Sequence, residues 1–143
     1  MAYYKVLTPL KRFAVFGEPV EILTNSETTG GKSTTLTQSS PPGGGPPPHS
    51  HLYEDETFFV LEGEYEFLVG GEWRRVLPGE VVHALRGSVH TFRNAGTTPG
   101  KVLIFVAPGG FENYLEEISS LSIPEDMPQV LAISGRYGIS FAV

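Results

Sequence analysis

The sequence predicts an all-β protein, a sandwich or barrel of short antiparallel strands followed by short C-terminal helices. Three observations lead there. From about Thr57 to Ala107, short runs rich in β-branched and aromatic residues are separated by turn residues at regular spacing. Within "EYEFLV", Tyr65, Phe67 and Val69 alternate with Glu64 and Glu66, which leaves one face apolar and the other wet. The chain of 143 residues also carries 17 glycines and 12 prolines, the residues that tight turns require.

Taken in order, "MAYYKVLTPLKRFAVFGEPV" has charges inside its apolar run and no long apolar core, so it does not read as a signal peptide. "VEILTN" and "KSTTLTQ" read as strands bridged by the turn-like "SETTGG". "PPGGGPPPHSH", residues 41 to 51, has a linker's composition but β-structure on both sides. The roughly 40 residues before it are too few for a second core, so the tract is an internal loop leading to His49. Six strands follow: "TFFVL", "YEFLV", "EWRRV", "VVHAL", "HTFRN" and "KVLIFVA", with Gly70-Gly71 suited to a two-residue hairpin turn. In the tail, Phe111, Tyr114, Leu115 and Ile118 follow the i, i+3, i+4, i+7 pattern of an amphipathic helix. A second helix is expected from Pro124 to Ser134 with Gly135 as its cap, and "ISFAV" alternates like a strand added to a sheet edge. One domain over residues 1–143 is expected, with the barrel at about 14–107 and a helical extension at about 108–143.

Composition narrows the function. A net charge of −6 with scattered basic residues provides no footprint for nucleic acid. The lack of cysteine excludes disulfides, thiolate metal sites and cysteine nucleophiles. No stretch approaches the roughly 20 apolar residues of a membrane span, so a soluble, cytoplasmic protein is the default expectation. Barrels of this kind retain sheet edges, and pairing through the N-terminal region or "ISFAV" predicts a homodimer.

His49 and His51 stand two apart, so on a strand both imidazoles emerge on one face. Alone, such a pair reads as a surface feature. Glu56 follows after a short bend, and His90 opens a later strand. Three imidazoles and a carboxylate make a nitrogen–oxygen site for one divalent first-row metal, and Mn, Fe, Co, Ni, Cu and Zn all suit it. His83 has no second ligand beside it and reads as a surface or hydrogen-bonded histidine. Glu54 and Asp55 read as solvated loop acids that could compete for the metal. "GGKST" lacks the first glycine of a phosphate loop, since Ser26 stands there, and reads as a hairpin turn.

With these residues the sequence resembles the cupin superfamily. Its first motif is matched by Gly43, His49, His51, Glu56 and Gly63, and its second by Gly79, Gly87, His90 and Asn94. Leu85 stands where the family has proline, a departure that touches a turn and not a ligand. The resemblance implies a jelly-roll barrel (a double-stranded β-helix) with His49, His51, Glu56 and His90 as metal ligands. The tract and the strands after it are most similar to single-domain cupins related to quercetin 2,3-dioxygenase. This implies a dioxygenase acting on a small aromatic or enolic, flavonol-like molecule, with Glu56 both ligand and general base. Two other readings use the same ion: a non-catalytic small-molecule binding or sensing module, and an isomerase or lyase using the metal as Lewis acid. Phe58, Phe67, Phe92 and Phe105 are candidate pocket residues, equally readable as barrel core. Apolar walls favour the oxygenase; several Arg or Lys side chains aimed at the metal favour an anionic substrate.

Overall fold

The computed structural model describes residues 6–142. Eleven strands and three short helices are present among them. The strands are β1 (Lys11–Val15), β2 (Glu18–Thr24), β3 (Thr34–Ser40), β4 (His49–His51), β5 (Asp55–Glu62), β6 (Tyr65–Val69), β7 (Glu72–Val76), β8 (Val81–Ala84), β9 (His90–Asn94), β10 (Gly100–Ala107) and β11 (Ile139–Phe141). The helices are α1 (Ser26–Thr29), α2 (Phe111–Ile118) and α3 (Met127–Arg136).

The strands form two antiparallel sheets, ordered β1-β2-β3-β10-β5-β8 and β11-β4-β9-β6-β7. The all-β architecture read from the sequence is therefore present. Period-2 alternation aims Val20, Ile22, Leu36, Val60, Val102, Ile104 and Val106 inward from the first sheet. Tyr65, Phe67 and Phe92 meet them from the second. Each such side chain stabilises the fold by about 1.5–3 kcal/mol through burial.

Four local features differ from the sequence reading. A first strand, β1, begins at Lys11, ahead of the expected barrel start at 14, because Phe16 and Gly17 take positive φ (50° and 82°) and fold it back on β2. "SETTGG" is not simply a turn: the Asn25 side chain accepts from the Thr28 backbone, and Thr28 answers on the Asn25 N–H, a capping box that winds α1. The second tail helix runs from Met127 to Arg136, with Gly135 inside it and Tyr137 at its cap, since Pro128 sits in its first turn. "TFFVL" starts two residues early, at Asp55, where β5 pairs with Ala107 of β10. "ISFAV" does supply an edge strand: β11 pairs with β4, placing Ile139 opposite His51 and Phe141 opposite His49. Its last residue, Val143, and residues 1–5 of the N-terminal segment expected to pair with a neighbour lie outside the described residues.

The proline- and glycine-rich tract is a stiff internal strap laid along β9. Gly43 N–H donates to the Asn94 carbonyl and Asn94 N–H donates to the Gly44 carbonyl, both at 2.8 Å. Thr91 Oγ donates to the Pro46 carbonyl at 2.5 Å. Gly45 has φ 148°, and a Cβ there would sit 1.9 Å from the Phe92 carbonyl oxygen. Only glycine allows that approach. The strap delivers His49 into register with His90.

Candidate metal centre

His49 and His51 stand on β4, Glu56 opens β5 and His90 opens β9. The two sheets bring these four residues together, with one candidate ligand atom from each lying within 4.8 Å of all the others. His51, Glu56 and His90 are almost fully buried, at 1%, 3% and 3% exposed. Gly87 N–H donates to the His51 carbonyl at 2.7 Å, tying the turn before His90 to the His49–His51 strand.

Every imidazole is oriented through Nδ1. His49 Nδ1 donates to the Pro47 carbonyl at 2.8 Å, and His90 Nδ1 donates to the Ser88 carbonyl at 3.1 Å. A carbonyl only accepts, so the proton of each neutral ring is on Nδ1. His51 Nδ1 is held by Glu54 Oε2 at 3.3 Å. That leaves Nε2 as the atom available to coordinate a metal on all three rings, the arrangement metal-binding histidines adopt.

The cluster is incomplete as a purely organic assembly. His51 Nε2 is buried without a hydrogen-bond partner, 3.4 Å from Glu56 Oε1. His90 Nε2 lies 2.7 Å from Glu56 Oε2. Two acceptors approach that closely only with positive charge between them, a proton or a metal ion. Three imidazole nitrogens and a carboxylate suit a divalent first-row cation, so the residues present fit a cupin metal site.

Electrostatics agree with that fit. Burial, then repulsion from His90, lowers His49 to about 4, so its imidazole is neutral across the physiological range. Burial acts to raise Glu56, yet the charge of His51 and the contact with His90 outweigh it and hold the carboxyl at about 2. For His51, burial is opposed and overcome by Glu56 and Glu54, which raise it above the ordinary imidazole value.

Glu54 is the correction among the acids. Its side chain is only 12% exposed and grips His51, because the bend after His51 turns it back under the ring. Asp55 does face solvent and pairs with Arg86 at 3.2 Å. His83 lies on the outer face of the first sheet, its Nδ1 2.9 Å from Thr57 Oγ, away from the cluster.

A cavity of about 200 Å³ opens beside the cluster, and His49 and Glu56 form part of its wall. Phe58 and Phe92 line it, whereas Phe67 packs deeper in the core and Phe105 does not reach it. Phe105 is 40% exposed because Ile104 and Val106 take the inward positions of β10. Phe111 of α2 and Phe141 of β11 line the cavity too; the Phe111 ring stands 5.1 Å from His51 and the Phe141 ring 6.1 Å from His49. Sequence spacing gave no local signal for either. No lysine or arginine is among the described residues that line this cavity. Arg86 and Arg93 both point outward, Arg93 pairing with Glu66 at 3.1 Å and lying over the Trp73 ring. Among the described residues, no helix is long and apolar enough to cross a membrane.

Known proteins share this architecture. Over 70 residues, 49% of the chain, the sequence is 30% identical to quercetin 2,3-dioxygenase of Bacillus subtilis (strain 168), and the match spans only 20% of that enzyme's length. A predicted oxalate decarboxylase from Thermotoga maritima superposes with a TM-score of 0.61 at 27% identity, covering 71% of this chain and 93% of that one. An uncharacterized protein with a double-stranded β-helix domain from Klebsiella pneumoniae superposes with a TM-score of 0.58 at 24% identity, over 65% of this chain and 78% of its own, a likeness of fold. The family described as the cupin domain matches residues 36–106, a span that holds most of β3, all of β4 to β9, most of β10 and all four clustered side chains. The chain belongs to the cupin superfamily.

Proposed function

We propose that this protein is a metal-dependent dioxygenase acting on a small enolic or aromatic molecule, with His49, His51, His90 and Glu56 holding the cation. The observation that carries this reading is the cavity wall. Between its polar ends it is aromatic and aliphatic, and among the described residues it has no lysine or arginine to neutralise a small dianion such as oxalate. At about 200 Å³ it exceeds the roughly 150 Å³ that admits benzene but falls below the roughly 300 Å³ where drug-sized pockets begin. A single-ring enol fits; a three-ring flavonol would have to extend through the opening.

When bound, the cation supplies Lewis acidity and a common site for O₂ and the enol oxygen. The rest falls to the chain. Phe58, Phe92 and Phe111 exclude water and seat the ring. Glu56 is the carboxylate that faces the cavity from the cluster, so it receives the enol proton. The imidazoles that keep it ionised also make it a weak base, and the transfer requires that one of those contacts loosen. An enol C(OH)=C unit plus O₂ then yields a carboxylic acid and a second carbonyl fragment. The carbon–carbon bond breaks, both oxygen atoms are retained, and the substrate supplies the electrons, so no external reductant is needed.

The test is oxygen uptake by metal-reconstituted protein across a panel of single-ring enols. Uptake that matches substrate loss supports the reading. Turnover without uptake points to an isomerase or lyase, and binding without turnover to a sensing module; either result overturns it.

We further propose a homodimer. Among the described residues, β1 and β8 leave open edges on one sheet, β7 and β11 on the other. Across the outer face of the first sheet, Val81, Phe59 and Leu103 stand in register, with Val81 53% and Phe59 36% exposed. A second copy of the chain is the occupant that covers them, and light scattering showing a monomer at all working concentrations overturns this.

A further inference from the structure

The cavity has a second polar point, remote from the ligand cluster. Glu18, at the start of β2, is only 8% exposed yet lines the same cavity, together with Gln38 of β3. Register fixes the offset of the two ends along the strands. Glu56 pairs with Val106, which pairs with Thr34; Gln38 lies four residues further along β3, about 13 Å at the usual rise of a strand. The walls between these levels are apolar, with Phe58, Phe92 and Ile104 among them.

The acceptor inventory at this far end is uneven. Glu18 Oε1 accepts from Ser40 Oγ at 2.6 Å and from Gln38 Nε2 at 3.0 Å, and Oε2 accepts from the Gly45 N–H at 2.9 Å. A carboxylate has about four acceptor sites, so Oε2 retains one. With its amide nitrogen committed to Glu18, Gln38 keeps its side-chain carbonyl as a further acceptor. The three donors on Glu18 come from β3 and the strap, which hold its carboxyl group in place before any ligand arrives. A preorganised acceptor at the end of an apolar cavity selects for a donor on the molecule that fills it.

We infer that Glu18 and Gln38 form a second recognition point that reads a hydroxyl or amine donor at the end of the substrate remote from the ligand cluster. This rests on the enolic-substrate reading above and narrows it. The substrate is a ring carrying a metal-seeking enol at one end and a hydrogen-bond donor at the other, para-like end. Without that donor, the ring would leave a buried carboxylate facing an apolar edge.

The experiment compares two probes, 1-phenylbutane-1,3-dione and its 4-hydroxyphenyl analogue, which differ only in the remote hydroxyl. Binding is measured by calorimetry on Zn²⁺-loaded protein, so no turnover is needed. Wild type is expected to favour the hydroxylated probe by about tenfold, the scale of one hydrogen bond to a charged acceptor. Glu18→Gln and Gln38→Met are expected to bring that preference to about twofold or less by weakening the hydroxylated probe, with the phenyl probe bound at least as well as by wild type. A residue that only braced the strap would change both affinities together, and melting curves identify a variant that does not fold; either folded variant then suffices. Equal affinity for the two probes in wild type, or a preference retained in the folded variants, overturns the recognition point and leaves the enolic reading standing. Failure of both probes to bind overturns that reading and this inference with it.

Discussion

Glu54 Oε2 holds His51 Nδ1 at 3.3 Å, so an acid from the bend between two strands fixes the orientation of the most buried imidazole in the cluster. Carboxylate–histidine contacts of this kind make the ring a better ligand, and their loss typically costs 10- to 100-fold in metal affinity. Glu54→Gln is therefore expected to weaken metal binding by at least about tenfold without altering the fold. Competition with a coloured chelator measures it, and affinity equal to wild type would remove Glu54 from the site.

Removal of the ligands separates the cluster from the remaining histidine. His51→Ala and His90→Ala should abolish stoichiometric metal and the rise in melting temperature that metal confers, since an ion bound only by the native state stabilises it by mass action. His83→Ala, on the outer sheet face, should change neither. Metal lost from His83→Ala and kept by His90→Ala would refute the assignment.

Metal affinity should also fall with pH. His49 is already neutral down to about 4, whereas His51, whose value is raised above the ordinary 6.5, carries a proton that competes with the metal. Coordination needs the neutral ring, so binding weakens as pH drops through that raised value, earlier than for a free imidazole. Titration of metal occupancy between pH 8 and 5 checks it, and a flat profile would contradict the assignment of His51.

Gly45→Ala tests the strap. Its φ of 148° and the 1.9 Å approach of a Cβ to the Phe92 carbonyl oblige the tract to lift from β9. Strain of this order costs about 2–3 kcal/mol, or about 5–10 °C in melting temperature for a chain of this size. Because the strap delivers His49, metal affinity should fall as well. Unchanged melting and unchanged affinity would show the strap to be dispensable.

Glu112 gives the fold an acid-sensitive tie. It accepts from Ser26 Oγ at 2.6 Å, the Ser26 N–H at 3.1 Å, the Gly110 N–H at 3.0 Å and Thr34 Oγ, joining α1, β3 and α2. Burial raises its value, but those donors outweigh burial and leave it below the ordinary 4.5. A lowered folded-state value means the contribution is complete above pH 4.5 and is lost as pH falls through the folded value. Glu112→Gln should cost about 1–3 kcal/mol at neutral pH, and that difference should shrink below pH 4.5. Denaturant midpoints at pH 7 and pH 3.5 measure it; a difference that grew on acidification would reverse the sign.

The sequence alone determined the strand-rich class and the place of the strap, because both depend on short-range pattern, and its likeness to the cupin motifs pointed to the four clustered side chains. Alternation by two sets which face a residue occupies, and positive φ at fixed turns selects glycine. That resemblance implied one site for His49, His51, Glu56 and His90 although 34 residues separate Glu56 from His90. What the tertiary structure decided was everything that needs two distant segments in contact. Glu54 reads as a solvated acid until the bend folds it under His51. Phe111 and Phe141 reach the cavity because α2 turns its apolar face onto the core and β11 pairs with β4. Phe105 belongs to a strand with apolar residues on both faces, and only the opposing sheet shows which of them is inside. Glu18 stands 31 residues before His49 in the sequence, and register through β3 alone brings it to the far end of the same cavity. Local pattern specifies orientation relative to a strand; it carries no information about which strand lies opposite, and the substrate meets only that second layer.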